Sequence, residues 1–305
     1  MAMTSHSDHG IHVLLLPYPS QGHINPLLQF AKRLAAHDGV RCTLAVTRFV
    51  AESTRPPPAG SVRIAVFSDG CDGCVPNELG GHHGPYFERL ASAGAATVDE
   101  ILASEAVQGR AVRVMVYDAF LPWAHGVARR RGAACAAFLM QACTVDVMYT
   151  HARAGRIPPP PVPPEPLLEL AGLPSQLDPA DLPTFLADVN RRLSLLVLLM
   201  NQFLGLDTGD HVLVNSFYDL EPQEADYLAS QWGAKTVGLT VPLVYLDNRL
   251  LDDVSYGIHL YTPMTTERKA WVDVQPPHSV VCVSFGSIAS LRARLANGNG
   301  NGIGK

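Results

Sequence analysis

Residues 11–34 read IHVLLLPYPSQGHINPLLQFAKRL, and the pattern of this stretch decides the fold. Residues 11–16 are apolar apart from His12 and too few to make a helix, which marks a short strand covered on both faces. Pro17, Pro19 and Gly22 then break the run. Asn25 is placed to cap the next element, and Pro26 suits a first helical turn because its missing N–H would be unpaired there anyway. Leu27, Leu28, Phe30, Ala31 and Leu34 recur at helical spacing and predict a helix with one buried stripe. The unit is strand, turn, helix, with His23 in the turn. In an open parallel sheet such a turn lies at the carboxyl end of the strand, where ligands bind.

The same stretch weakens several other readings. No G-x-G-x-x-G follows the strand, no G-x-x-x-x-G-K-[ST] occurs, and Tyr18 stands where a nucleophile elbow would place a glycine two residues before Ser20. Dinucleotide, P-loop and serine-hydrolase chemistry lose ground accordingly. A hydrolase built on His23 would have Cys143 as its nearest nucleophile, and that residue falls inside an expected helix.

Working outward, strand patterns recur at Arg41–Val46, Val62–Phe67, Val112–Tyr117, Ala133–Leu139, His211–Asn215 and Thr236–Gly238. Helical patterns fall between them at Pro85–Ser104, Phe120–Arg131, Gln141–Ala154, Arg191–Leu204 and Glu221–Trp232, and Gly132 stands just past the basic end of its helix. Alternation with short connections predicts an α/β fold, a Rossmann-like doubly wound parallel sheet. The proline-rich Ile157–Pro166 interrupts the period as a surface loop. The expected division is a disordered head over 1–10, a Rossmann-like acceptor-binding domain over 11–238 and a linker over 239–278. Residues 279–296 then start a second domain with one strand, Ser279–Ser284, and 297–305 form a disordered tail.

Composition bounds the partners. The chain has 305 residues, 47% of them hydrophobic, enough for a large core, and a formal net charge of −5 that offers no basic face to nucleic acid. The longest apolar run, Leu195–Met200, is too short to cross a bilayer, and the polar head lacks a signal-peptide pattern, so a soluble, cytoplasmic protein is expected. The six cysteines are scattered and read as reduced, mostly buried thiols. Cys71 and Cys74 form a C-x-x-C with His82 and His83 behind it, but no second pair completes a zinc knuckle.

The chemistry concentrates in two residues. His23 and Asp118 each sit at the carboxyl end of a strand that feeds a helix, and in the strand order 3-2-1-4-5-6 those two strands are neighbours flanking the switch point. A histidine beside a carboxylate is a base held in one tautomer: Asp118 takes the Nδ1 proton and leaves Nε2 free to accept one from a substrate hydroxyl. Taken apart, His23 reads as a structural histidine and Asp118 as a helix cap. Their expected adjacency favours the catalytic pair.

The stretches LLPYPSQGHINPLLQFAKRL, VYDAFLPWAHGVA, QACTVDV, HVLVNSFYDLEPQEADYL, KTVGLTVPLVYLDNRL, DDVSYGIHL and VVCVSFGSIASL together resemble the plant UDP-glycosyltransferases that modify small molecules. The resemblance covers nearly everything from Ile11 to Leu291. It implies a GT-B fold of two facing Rossmann-like domains, in which His23 deprotonates the acceptor and Asp118 orients His23. The acceptor oxygen then attacks the anomeric carbon of a UDP-sugar, with UDP-glucose the expected donor, and UDP leaves with inversion and without a metal. It further implies that Gly286 and Ser287 face the donor phosphates, where a Gly-Ser turn opening a helix suits an anion, and that Gln141 faces the donor sugar. The implied acceptor is a small molecule bearing a hydroxyl or carboxyl, of phenolic, hormone-like or terpenoid kind. Two departures stand out: Met140 replaces the threonine common before Gln141, and the donor-gripping box containing His-Cys-Gly-Trp-Asn-Ser does not occur, so the chain reads as C-terminally truncated. The alternative reading is therefore a catalytically inactive acceptor-binding fragment lacking the UDP-sugar site.

Overall fold

The computed structural model describes residues 10–54, 62–73, 84–158, 169–174, 177–187, 193–242, 257–260 and 265–283. The expected head, tail and second-domain helix, the prolines of the 157–166 loop from residue 159 onward, and Cys74, His82, His83, Gly286 and Ser287 lie outside the described residues.

Seven parallel strands form one sheet: β1 (Ile11–Leu16), β2 (Val40–Thr47), β3 (Val62–Phe67), β4 (Val114–Asp118), β5 (Ala134–Leu139), β6 (His211–Val214) and β7 (Lys235–Thr236). Their order is β3-β2-β1-β4-β5-β6-β7, with β1 beside β4 in the register Val13↔Val114 to Leu16↔Tyr117. Between the strands run α1 (Gln21–Ala35), α2 (Arg48–Ser53), α3 (Gly84–Val107), α4 (Trp123–Arg130), α5 (Cys143–Arg153), α6 (Thr184–Ala187), α7 (Leu193–Asn201) and α8 (Pro222–Trp232).

Strand residues alternate between two cores because successive Cβ atoms leave opposite faces. Leu14, Leu16, Met115, Tyr117, Cys135, Ala137 and Leu139 pack with α3, α4, α5 and α7 on one side. Val13, Leu15, Leu44, Val116 and Phe138 pack with Ile24, Leu27, Leu28 and Ala31 of α1 on the other. Burial on both faces is why the strands read as continuous apolar runs and not as alternating ones.

Three local expectations give way. The first helix begins at Gln21, ahead of Asn25, so Pro26 lies within it and His23 rides in its first turn. Asn25 is 1% exposed and its Oδ1 accepts the Ile258 N–H at 2.8 Å, so tertiary anchoring replaces capping. The short α2, capped by Thr47 whose hydroxyl accepts from the Val50 N–H, carries too few apolar residues to show a period. Cys71 is disulfide-bonded, whereas Cys42, Cys135 and Cys143 are buried free thiols as expected.

Residues 1–260 cluster as one unit and 261–305 as a second. In the second, α9 (Thr265–Asp273) occupies part of the segment expected as linker. The described residues 279–283, expected as a strand, have no strand pairing. Among the described residues no helix is long and apolar enough to cross a membrane.

Candidate active site

The β1–β4 pairing brings the two expected residues together. Asp118 is the last residue of β4 and His23 lies one turn beyond β1, and His23 Nδ1 stands 2.6 Å from Asp118 Oδ2. The carboxylate is 1% exposed and the imidazole 18%, so the pair is sealed on one side and open on the other. Asp118 also accepts the Tyr18 N–H on Oδ2 at 3.2 Å and the Phe120 N–H on Oδ1 at 3.0 Å. A carboxylate already serving two backbone donors is placed to accept from the Nδ1–H tautomer of His23, the one that leaves Nε2 as an acceptor. Asp118 thus closes the turn after β4 and does not cap α4, which starts at Trp123.

Aromatic rings surround the imidazole. Tyr18 meets it edge-on at 5.3 Å between centroids and Phe120 lies tilted across it at 4.9 Å. Burial, followed by the charges of Asp118 and Asp69, pushes the Tyr18 hydroxyl far above its ordinary value, so it stays neutral beside the dyad. Phe120 continues into a cleft of about 560 Å³ whose walls include Phe87, Trp123, Val197 and Leu198, with Glu88, Ser194 and Asn201 as polar groups. This is a mostly apolar pocket of small-molecule size, and Phe120 in its wall is the ring that lies against His23. Leu195, Leu198 and Leu199 of α7 join the core, while Ser194, Val197, Leu198 and Asn201 from the same helix line the cleft.

Gln141 falls in the loop after β5, before α5 begins, and its Oε1 accepts from Gln202 Nε2 at 3.3 Å. That loop is held by a contact between distant segments. The Glu221 carboxylate accepts the Cys143 and Thr144 N–H groups at 2.9 and 2.8 Å, together with the Thr144 and Ser216 hydroxyls. Burial alone would raise the Glu221 carboxyl, but these donors outweigh it and hold it below the ordinary carboxylate value. Cys143 is fully buried and its thiol is pushed up to about 12, first by burial and then by the charge of Glu221. A thiol of that kind is not a nucleophile, which removes the Cys143 hydrolase.

His12, the other histidine of the opening stretch, is structural: it is buried, 2.6 Å from the Arg110 carbonyl through Nδ1 and 2.8 Å from Thr43 Oγ1 through Nε2. Among the described residues no group of three or more His, Cys, Asp or Glu side chains could hold a metal ion. The sequence signalled His23 and Asp118 but neither the rings around them nor the Glu221 staple, whose partners in α5 lie 77 and 78 residues away.

No protein-family model matches the chain. Over 307 residues it is 44% identical to UDP-glycosyltransferase 79 of Oryza sativa subsp. japonica, a match taking in 99% of this chain and 65% of that protein. It is likewise 44% identical over 293 residues to UDP-glucosyltransferase UGT13248 of Hordeum vulgare subsp. vulgare, covering 95% of this chain and 61% of the relative. In structure it is similar to Os79 from O. sativa in complex with UDP, with a TM-score of 0.82 at 44% identity across 92% of this chain and 63% of that one. The chain therefore spans less than two thirds of the length of these relatives. By fold, by the identity along nearly its whole length and by the motifs quoted above, the chain is similar to the plant UDP-glycosyltransferases.

Proposed function

We propose that the protein transfers a sugar, glucose by the name of its barley relative, from a UDP-sugar to the hydroxyl or carboxyl of a small apolar acceptor. The observation that carries this reading is the 2.6 Å contact between His23 Nδ1 and Asp118 Oδ2 beside the apolar cleft. The acceptor lies in the cleft with its oxygen toward His23 Nε2. The imidazole takes the acceptor proton as the oxygen forms its bond to the anomeric carbon. The bond from that carbon to the diphosphate oxygen breaks and UDP departs with the electron pair, so attack from the opposite face inverts the centre. Asp118 keeps the imidazole in the tautomer that can accept and balances the charge it gains.

In this reading Gln141 faces the donor sugar, while Gly286 and Ser287 face its phosphates, within a donor-binding domain that residues 279–296 begin and that follows the acceptor-binding domain of 11–238. The presence of UDP in the Os79 complex supports the donor class. The cleft's aromatic lining supports a phenolic or terpenoid acceptor in preference to a sugar. The test incubates the chain with UDP-glucose and a panel of phenols and small acids, and measures UDP release and sugar adducts by mass spectrometry. Turnover that falls about a hundredfold or more in His23→Gln supports the reading. Undiminished turnover in that variant, or none in the parent chain, overturns it.

A further inference from the structure

Two residues each meet the dyad twice. Tyr18 gives its N–H to Asp118 Oδ2 and sets its ring against His23; Phe120 gives its N–H to Asp118 Oδ1 and lays its ring across the same imidazole. The two rings also meet each other edge-on, with centroids 5.7 Å apart and planes at 75°. The backbone of this pair fixes the carboxylate, and the side chains bracket the ring that the carboxylate orients. Tyr18 is 7% exposed, whereas Phe120 is partly open and forms part of the cleft wall. Phe120 is therefore the side chain that an occupant of the cleft and the imidazole both touch.

We propose that Phe120 is a positioning residue that couples occupancy of the cleft to the orientation of His23, so that a flat aromatic acceptor seated against Phe120 locks the base in its productive pose. This rests on the reading of His23 as the base. The geometry favours an aromatic occupant, because a ring placed among Phe87, Phe120 and Trp123 finds the edge-to-face and offset partners that aromatic groups prefer. Pressing Phe120 from the cleft side then restricts its tilt over the imidazole, and with it the swing of that ring about its Cα–Cβ and Cβ–Cγ bonds that would break the 2.6 Å contact to Asp118. The side-chain role separates from the backbone role, since replacing the ring leaves the Phe120 N–H on Asp118.

The experiment uses the whole chain with 2-naphthol as probe. Binding is read from tryptophan fluorescence, and the response of His23 from its ring signals in imidazole-selective NMR, assigned with His23→Gln. In the parent chain and in Phe120→Tyr, 2-naphthol shifts and sharpens the His23 signals. In Phe120→Leu, affinity falls by about two- to tenfold, the worth of an aromatic contact, and at saturating 2-naphthol the His23 signals stay where they are in the free protein. An equal response in Phe120→Leu overturns the proposal, as does binding to the parent chain that leaves His23 unmoved. Binding without coupling in the parent chain, with UDP release intact, condemns the role of Phe120 alone, whereas coupling in the parent chain without UDP release in any variant condemns the transferase reading alone.

Discussion

Asp146 offers the sharpest test of how the region around the site is held. It lies in the first turn of α5 with 0% of its surface exposed, and neither carboxyl oxygen has a hydrogen-bond partner among the described residues. Burial first, and the nearby Glu221 charge second, raise its carboxyl well above the usual value, so the native protein carries it as a neutral acid. The sign follows from linkage. Below the unfolded value near 3.9 both states are protonated and the group adds no pH dependence. Above it the unfolded chain ionises while the native protein does not, and stability is lost as pH rises until the raised native value is reached. Each pH unit inside that window removes about 1.4 kcal/mol that a non-titrating side chain would keep. Asp146→Asn is nearly isosteric, and every other titrating group is common to both proteins, so it cancels in the difference. Urea unfolding of both proteins at pH 5, 6 and 7, with matched m-values, measures that difference directly. The advantage of Asp146→Asn grows with pH for as long as the pH lies between the unfolded and the raised native value. A gap that stays flat, or shrinks as pH rises, would refute the neutral acid.

Glu221→Ala takes away the acceptor for two α5 backbone N–H groups and two hydroxyls, and by the usual cost of a lost cap and its orphaned donors it destabilises by about 2–4 kcal/mol in the same assay. Hydrogen exchange at the Cys143 and Thr144 amides accelerates in that variant, and unchanged protection there would contradict the staple. Gly172 has φ +78° and a Cβ placed on it would stand 2.4 Å from Tyr227 Cβ, so Gly172→Ala costs about 1–3 kcal/mol, read as a lowered urea midpoint. Gly172→Ala combined with Tyr227→Gly loses less than the sum of the two single losses if the close approach is the cause, since the two substitutions share one contact.

The fold was legible because its signals are local. Each strand is a short apolar run that ends where a turn residue stands, and the alternation of strands with helices leaves few topologies. The pairing of β1 with β4 follows from that topology, and with it the meeting of His23 and Asp118. What the sequence concealed is long-range. Asn25 has the composition of a cap but serves the Ile258 N–H, and Glu221 stands at the start of α8 but caps α5. Neither use can be inferred from neighbours in the chain, because the partner is set by packing. The aromatic bracket belongs to the same class: Tyr18 and Phe120 look like ordinary apolar residues flanking turns until the sheet brings those turns side by side. The apolar helix α7 shows a related limit, since its hydrophobicity predicted burial but not that its other residues would wall a cleft.

The central claim is that the β1–β4 junction presents a histidine whose outward nitrogen is bare. Long-range nitrogen–proton NMR of the chain near neutral pH, with His23 assigned by substitution, reports which ring nitrogen holds the proton. The account predicts the proton on Nδ1, facing Asp118, with Nε2 unprotonated toward the cleft. A proton on Nε2 with Nδ1 bare would contradict it.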